Sequence, residues 1–140
     1  MDVTEFNLGD VKLYACMGEG SRDKVISAAL GRGGVEHFSG GAPYAVDEDG
    51  QRLSLYISIT HTEDMCAIAL SDTPVGIDAE RLDRLPPRGF SNIYSWTDTE
   101  AYVKCLGRGL SLGDARRGGR GIKAERTVLF DRYALSLYKS

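Results

Sequence analysis

The chain has 140 residues, 42% apolar and 26% charged, with a net charge of −3. That composition excludes fibrous and disordered classes, and the length fits one domain whose core needs no disulfide or metal staple. No apolar run approaches the ~18 residues of a membrane helix, and a nucleic-acid binder is expected to be basic rather than acidic.

Val11 to Met17 reads as a strand, and Ser21 to Leu30 as an amphipathic stretch with Ser21 as N-cap and Gly31 just past its end. Asp47-Glu48-Asp49-Gly50 is a turn signal. Leu53, Leu55, Ile57 and Ile59 alternate with polar or amphipathic residues, a strand period, and a polar turn at 62–64 joins them to Met65–Leu70 as a hairpin. Val75 to Ala79 is a third strand. Arg81 to Arg88, with Pro86-Pro87, is a loop, and Trp96 to Leu106 is a helix ending at Gly107. Six glycines between 107 and 121 predict a flexible segment before a closing strand, Tyr133 to Tyr138. The class is α+β: an antiparallel sheet packed with one or two helices, in a single domain over 1–140.

Charge is unevenly spread. Residues 104–126 carry seven basic and two acidic side chains, so this segment is +5 and the remainder −8. Such asymmetry points to an anionic partner. Cys16, Cys66 and Cys105 are odd in number and lack a C-x-x-C spacing. With no signal-peptide pattern at the acidic N-terminus, they are expected to be buried small hydrophobes in a cytoplasmic protein.

Three constellations could carry chemistry. In Val75-Gly76-Ile77-Asp78-Ala79-Glu80, residues two apart share a strand face, so Asp78 and Glu80 point together while Ile77 and Ala79 enter the core. Two crowded carboxylates repel unless a cation lies between them, and oxygen ligands suit Mg²⁺. An ordinary solvated strand face has the same spacing. Glu100 and Lys104 are i,i+4 on one helix face. Thr97-x-x-Glu100 also fits a capping box, in which Glu100 would only cap the helix. His61 ends a strand beside Ser58 and Thr60; with His37 it makes a poor zinc set.

In their order along the chain, these motifs resemble the 4′-phosphopantetheinyl transferase superfamily, and most the surfactin-synthetase-activating type. The resembling blocks are Ile59-Thr60-His61-Thr62, Gly76-x-Asp78-x-Glu80 and Trp96-Thr97-x-x-Glu100-Ala101-Tyr102-x-Lys104. Gly41-Ala42-Pro43-Tyr44 resembles that family's Gly-Lys-Pro-Tyr element, and Tyr133–Leu137 its closing strand.

The resemblance implies transfer of phosphopantetheine from coenzyme A to a serine of an apo acyl- or peptidyl-carrier protein. It implies Asp78, Glu80 and Glu100 as Mg²⁺ ligands, Glu100 also as the base for the serine, and Lys104 at the transferred phosphate. It places His61 near the coenzyme A phosphates; Arg22, Lys24 and Arg32, in the first 40 residues that the resemblance does not cover, are further candidate contacts. It implies no nucleic-acid or membrane partner, and a monomer, since His61 and Glu100 lie in one chain. Thr99 and Ala42 stand where the family has lysines, and only 19 residues separate Glu80 from Glu100, too few for a helical region expected there. The alternative is a non-catalytic module that binds coenzyme A or a carrier protein on the same fold.

Overall fold

A chain with this alternation of short apolar strands and glycine turns folds into antiparallel ladders, and the computed structural model, which describes residues 2–140, has no other kind among them. The elements are β1 (Thr4–Leu8), β2 (Val11–Met17), α1 (Ser21–Leu30), β3 (Gly34–His37), β4 (Pro43–Val46), β5 (Tyr56–Thr62), β6 (Met65–Ser71), β7 (Val75–Arg81), α2 (Ile93–Cys105), α3 (Leu112–Arg117), β8 (Glu125–Leu129) and β9 (Tyr133–Lys139). They form a four-stranded sheet β1-β2-β6-β5, a three-stranded sheet β7-β9-β8 and a small hairpin β3-β4.

The two larger sheets repeat one plan. β2, α1, β5 and β6 run strand, helix, hairpin, and so do β7, α2, β8 and β9. In both, the last strand lies between the first strand and the other hairpin strand. In both, the helix packs on the first and last strands. β1 extends the first unit at its edge, and β3-β4 is an insertion after α1. The expectation of one sheet with one or two helices is therefore corrected to two main sheets and three helices, within the α+β class.

Period-two alternation places the cores. Leu13 and Ala15 of β2, Ala67 of β6, Ile77 of β7 and Leu135 of β9 meet between the sheets. On the other face of the first sheet, Cys16, Cys66 and Ile68 pack with Val25 of α1. Each large apolar side chain so buried contributes roughly 1.5–3 kcal/mol. All three cysteines are buried, as expected. No helix among the described residues is long and apolar enough to cross a membrane.

Several element boundaries differ from the sequence expectation. The hairpin strand begins at Tyr56 rather than Leu53. Ser21 does not cap α1: the N-cap is Gly20, at φ 75°, without a side-chain bond, and Ser21 is buried in the first turn. α2 starts at Ile93, where the Asn92 Oδ1 accepts from the Ser95 N–H at 2.9 Å. Thr97 is thus inside the helix, its hydroxyl 2.8 Å from the Ser136 hydroxyl. Glu100 is no capping residue. The glycine-rich segment holds α3, whose Ser111 and Asp114 make a reciprocal capping box.

Candidate functional site

Gly76 sets the site. A Cβ there would lie 1.9 Å from the Ala101 carbonyl oxygen and 2.6 Å from the Cys105 nitrogen, so only glycine lets α2 lie this close on β7. Asp78 and Glu80 share the Gly76 face of the strand and so lie toward α2, while Ile77 and Ala79 enter the inter-sheet core. The close approach brings Glu100 and Lys104 of α2 to these carboxylates.

β5 and β7 share no ladder, yet they run side by side. Side chains bind this seam. The Ile77 N–H donates to the Ser58 hydroxyl at 2.9 Å, and the Ala79 N–H to the Thr60 hydroxyl at 3.1 Å. Lys104 closes it from above. Its Nζ donates to the carbonyls of Ile59 at 3.1 Å and Ile77 at 3.0 Å and lies 3.6 Å from the Asp78 Oδ1.

Asp78 is only 8% exposed, and its Oδ2 is buried without a hydrogen-bond partner. Burial raises its pKa from 3.8 to about 7; Lys104 opposes this, while Glu100 and Glu80 add to it. Glu100 is half-buried, and desolvation raises its pKa as well, opposed by Lys104 and reinforced by Glu80 and Asp114. Glu80 holds Arg84 at 2.6 Å. The three carboxylates thus share one electrostatic neighbourhood. Among the described residues, however, no three His, Cys, Asp or Glu side chains are gathered as a ready ligand set. The donors are all oxygens, which suits a hard cation such as Mg²⁺. The partnerless Asp78 Oδ2 is an acceptor that such a cation would satisfy.

Beside the seam opens a cleft of about 670 Å³. Its walls carry Arg22, Arg52, Lys104 and Arg108, both histidines, and no carboxylate. His61 is exposed on this wall. The His37 Nδ1 is 3.0 Å from the Gly41 carbonyl oxygen. Arg52 lies over the rings of Phe38 and Tyr44, 4.8 and 5.4 Å from their centroids. Arg108 grips Asp114 with two bonds, of 2.6 and 3.1 Å, which hold that carboxyl well below the usual carboxylate range.

Of the residues singled out in the sequence, Arg22, His61 and Lys104 reach the cleft, and Asp78, Glu80 and Glu100 gather beside Lys104. Lys24 and Arg32 are exposed and line no part of the cleft; Arg32 faces Glu48 at 3.8 Å. Arg52 and Phe38 were not singled out, and His37 only as a poor partner for zinc. They arrive through the β3-β4 hairpin and the loop after it, which the sequence marks only by Gly40-Gly41 and the 47–50 turn. Thr99, at the position of the missing lysine, is fully buried and donates to the Ser95 carbonyl at 2.8 Å. Compared with known proteins, the chain matches no family model and no curated protein.

Proposed function

We propose that the chain is a 4′-phosphopantetheinyl transferase-like enzyme, moving phosphopantetheine from coenzyme A to a carrier-protein serine. One observation carries the reading. On a chain of net charge −3, the cleft gathers four cationic side chains, excludes carboxylates, and ends at Lys104 beside Asp78 and Glu100. Such a wall suits a ligand with several phosphates and repels cations.

The residues divide the work. Arg22, Arg52 and His61 bind and orient the anionic ligand from the cleft walls. Lys104 stands at the transferred phosphate, where it offsets the negative charge that develops as the bond to the leaving nucleotide phosphate breaks. The Glu100 carboxylate takes the proton of the attacking hydroxyl, for which its raised pKa suits it. Asp78, Glu80 and Glu100 would hold Mg²⁺. The ion, when bound, supplies charge stabilisation at the phosphate oxygens. The strand–helix–hairpin plan occurs twice within one chain, which supports a monomer.

The alternative, a coenzyme A or carrier-protein binding module without catalysis, is favoured by one observation: Lys104 already occupies the Asp78 carboxylate, 3.6 Å from its Oδ1. Calorimetric titration with coenzyme A tests what both readings share. Binding is expected, weakened at least ~10-fold by Arg22→Glu, which places a carboxylate in the cleft. No heat of binding, or an unaffected Arg22→Glu variant, contradicts the cleft assignment. Transfer to an apo carrier then separates the enzyme from the module.

A further inference from the structure

β7 ends at Arg81 in a turn that folds a second arginine back over the carboxylates. The Arg84 N–H donates to the Arg81 carbonyl at 3.2 Å, and the Leu82 N–H to the Arg132 carbonyl at 2.9 Å, which anchors the turn to the chain before β9. Arg81 takes the two outer carboxylates of this corner, Asp83 at 2.6 Å and Glu63 at 3.5 Å. Arg84 is left to Glu80, whose Oε2 accepts from its Nη1 at 2.6 Å. Asp78 and Glu80 are therefore each faced by a cation of the chain itself, Lys104 and Arg84. The two cations are held differently. Lys104 is tied by the Ile59 and Ile77 carbonyls besides Asp78. The Arg84 side chain bonds only Glu80 among the described residues, and it is 56% exposed against 16% for Glu80. A groove of about 420 Å³ borders the pair and gives the guanidinium room to withdraw.

One acceptor of this cluster is served by neither cation: the Asp78 Oδ2, on a side chain more than nine-tenths buried. We propose that Arg84 is a displaceable counter-ion of the site: its guanidinium neutralises Glu80 until a divalent cation binds at Asp78 and Glu80, then gives Glu80 up to the ion and withdraws into the groove. This rests on the reading of Asp78, Glu80 and Glu100 as the residues that hold Mg²⁺, and it adds how the ion gains one of them. A guanidinium and a divalent ion on one carboxylate repel each other, so the presence of one weakens the hold of the other. Lys104 stays, because its two carbonyl bonds remain when the ion takes Asp78. Cation affinity is thus set in part by a side chain that is no ligand. The Arg84 bond is charge-assisted and its acceptor mostly buried, so giving it up costs about tenfold in cation affinity or more.

The test titrates the full chain with Mn²⁺ in the absence of coenzyme A and reads the unbound ion by electron paramagnetic resonance. Arg84→Met removes the charge and its donors while keeping an unbranched stem, and is expected to tighten Mn²⁺ binding at least ~10-fold. Arg84→Lys restores the cation and should return the affinity toward the wild-type value. Arg81→Gln removes the same formal charge from the same turn without touching Glu80, and should leave the affinity unchanged within error. Asp78→Asn should weaken binding, which locates the ion at these carboxylates. The rise in melting temperature on adding equal Mn²⁺ should be larger for Arg84→Met than for the wild type. Equal or weaker binding by Arg84→Met beside a wild type that binds overturns the proposal, and so does equal tightening by Arg81→Gln. Binding by neither the wild type nor Arg84→Met, or binding indifferent to Asp78→Asn, strikes the metal reading and the proposal with it. A chain that binds Mn²⁺ in the expected pattern yet leaves an apo carrier unmodified fails only as a transferase, and the role of Arg84 stands.

Discussion

Asparagine in place of Asp78 should stabilise the metal-free protein at alkaline pH and destabilise it near pH 4. The Asp78 carboxyl is nearly fully buried, with one oxygen lacking any partner, and its pKa is raised from 3.8 to about 7. The folded chain therefore keeps a proton that the unfolded chain releases above about pH 4. Stability must fall as pH rises from about 4 to about 7 and level off above that, because the unfolded state binds fewer protons across this window. A difference of about three pKa units, at 1.36 kcal/mol each, sets the cost of the ionised form near 4 kcal/mol. Asparagine keeps the shape and an Oδ1 for Lys104. Its amide, standing where Oδ2 has no partner, gives back about 1–3 kcal/mol. The expected net gain is about 1–3 kcal/mol at pH 8, and it falls by about 4 kcal/mol to a net loss of about 1–3 kcal/mol at pH 4, where the Asp78 carboxyl is protonated. Urea unfolding of both proteins in chelator, across this range, isolates the effect as the difference between two curves with equal m values. A difference that does not change with pH, or a variant less stable at pH 8, would refute the reasoning.

Glu100→Gln should keep the wild-type melting temperature and coenzyme A affinity yet lose at least ~100-fold in turnover, as expected for a lost general base; near wild-type turnover would reduce Glu100 to a helix-surface residue. Because the Glu100 pKa is raised and the base acts when ionised, wild-type turnover should climb as pH rises through that elevated value. A pH–rate profile that is flat from the acid side to neutrality would contradict it. Gly76→Ala should destabilise the fold by about 3 kcal/mol or more, since its Cβ meets backbone rather than a flexible side chain. Thermal melting at the wild-type temperature would show that α2 can move aside freely.

The strands that carry the site were legible because their alternation is strong. Ile77 and Ala79 face one core while Asp78 and Glu80 face the other side, and that follows from period two alone. The role of Gly76 was not legible, since its need arises from a helix that arrives later in the chain. Thr97-x-x-Glu100 misled in one respect. It has the spacing of a capping box, but Asn92 captures the first turn and leaves Thr97 bonded to Ser136, a residue far away in sequence. The cleft was only half legible. Lys104 and His61 sit in patterned elements, whereas Arg52 and Phe38 come from segments with no periodicity to reveal which way they point. The repeat of strand, helix and hairpin was hidden because the two copies share topology without shared sequence. α3 was masked by its Gly113 and its arginines, though Ser111-x-x-Asp114 carries the cap that starts it.

The most direct test of the central claim is the mass of an apo carrier protein after incubation with the chain, coenzyme A and Mg²⁺. The carrier is expected to gain the mass of one phosphopantetheine arm, chelation of the metal to abolish the gain, and Glu100→Gln to slow it at least ~100-fold. A carrier that keeps its apo mass while the chain binds coenzyme A would contradict the enzyme and leave a binding module in its place.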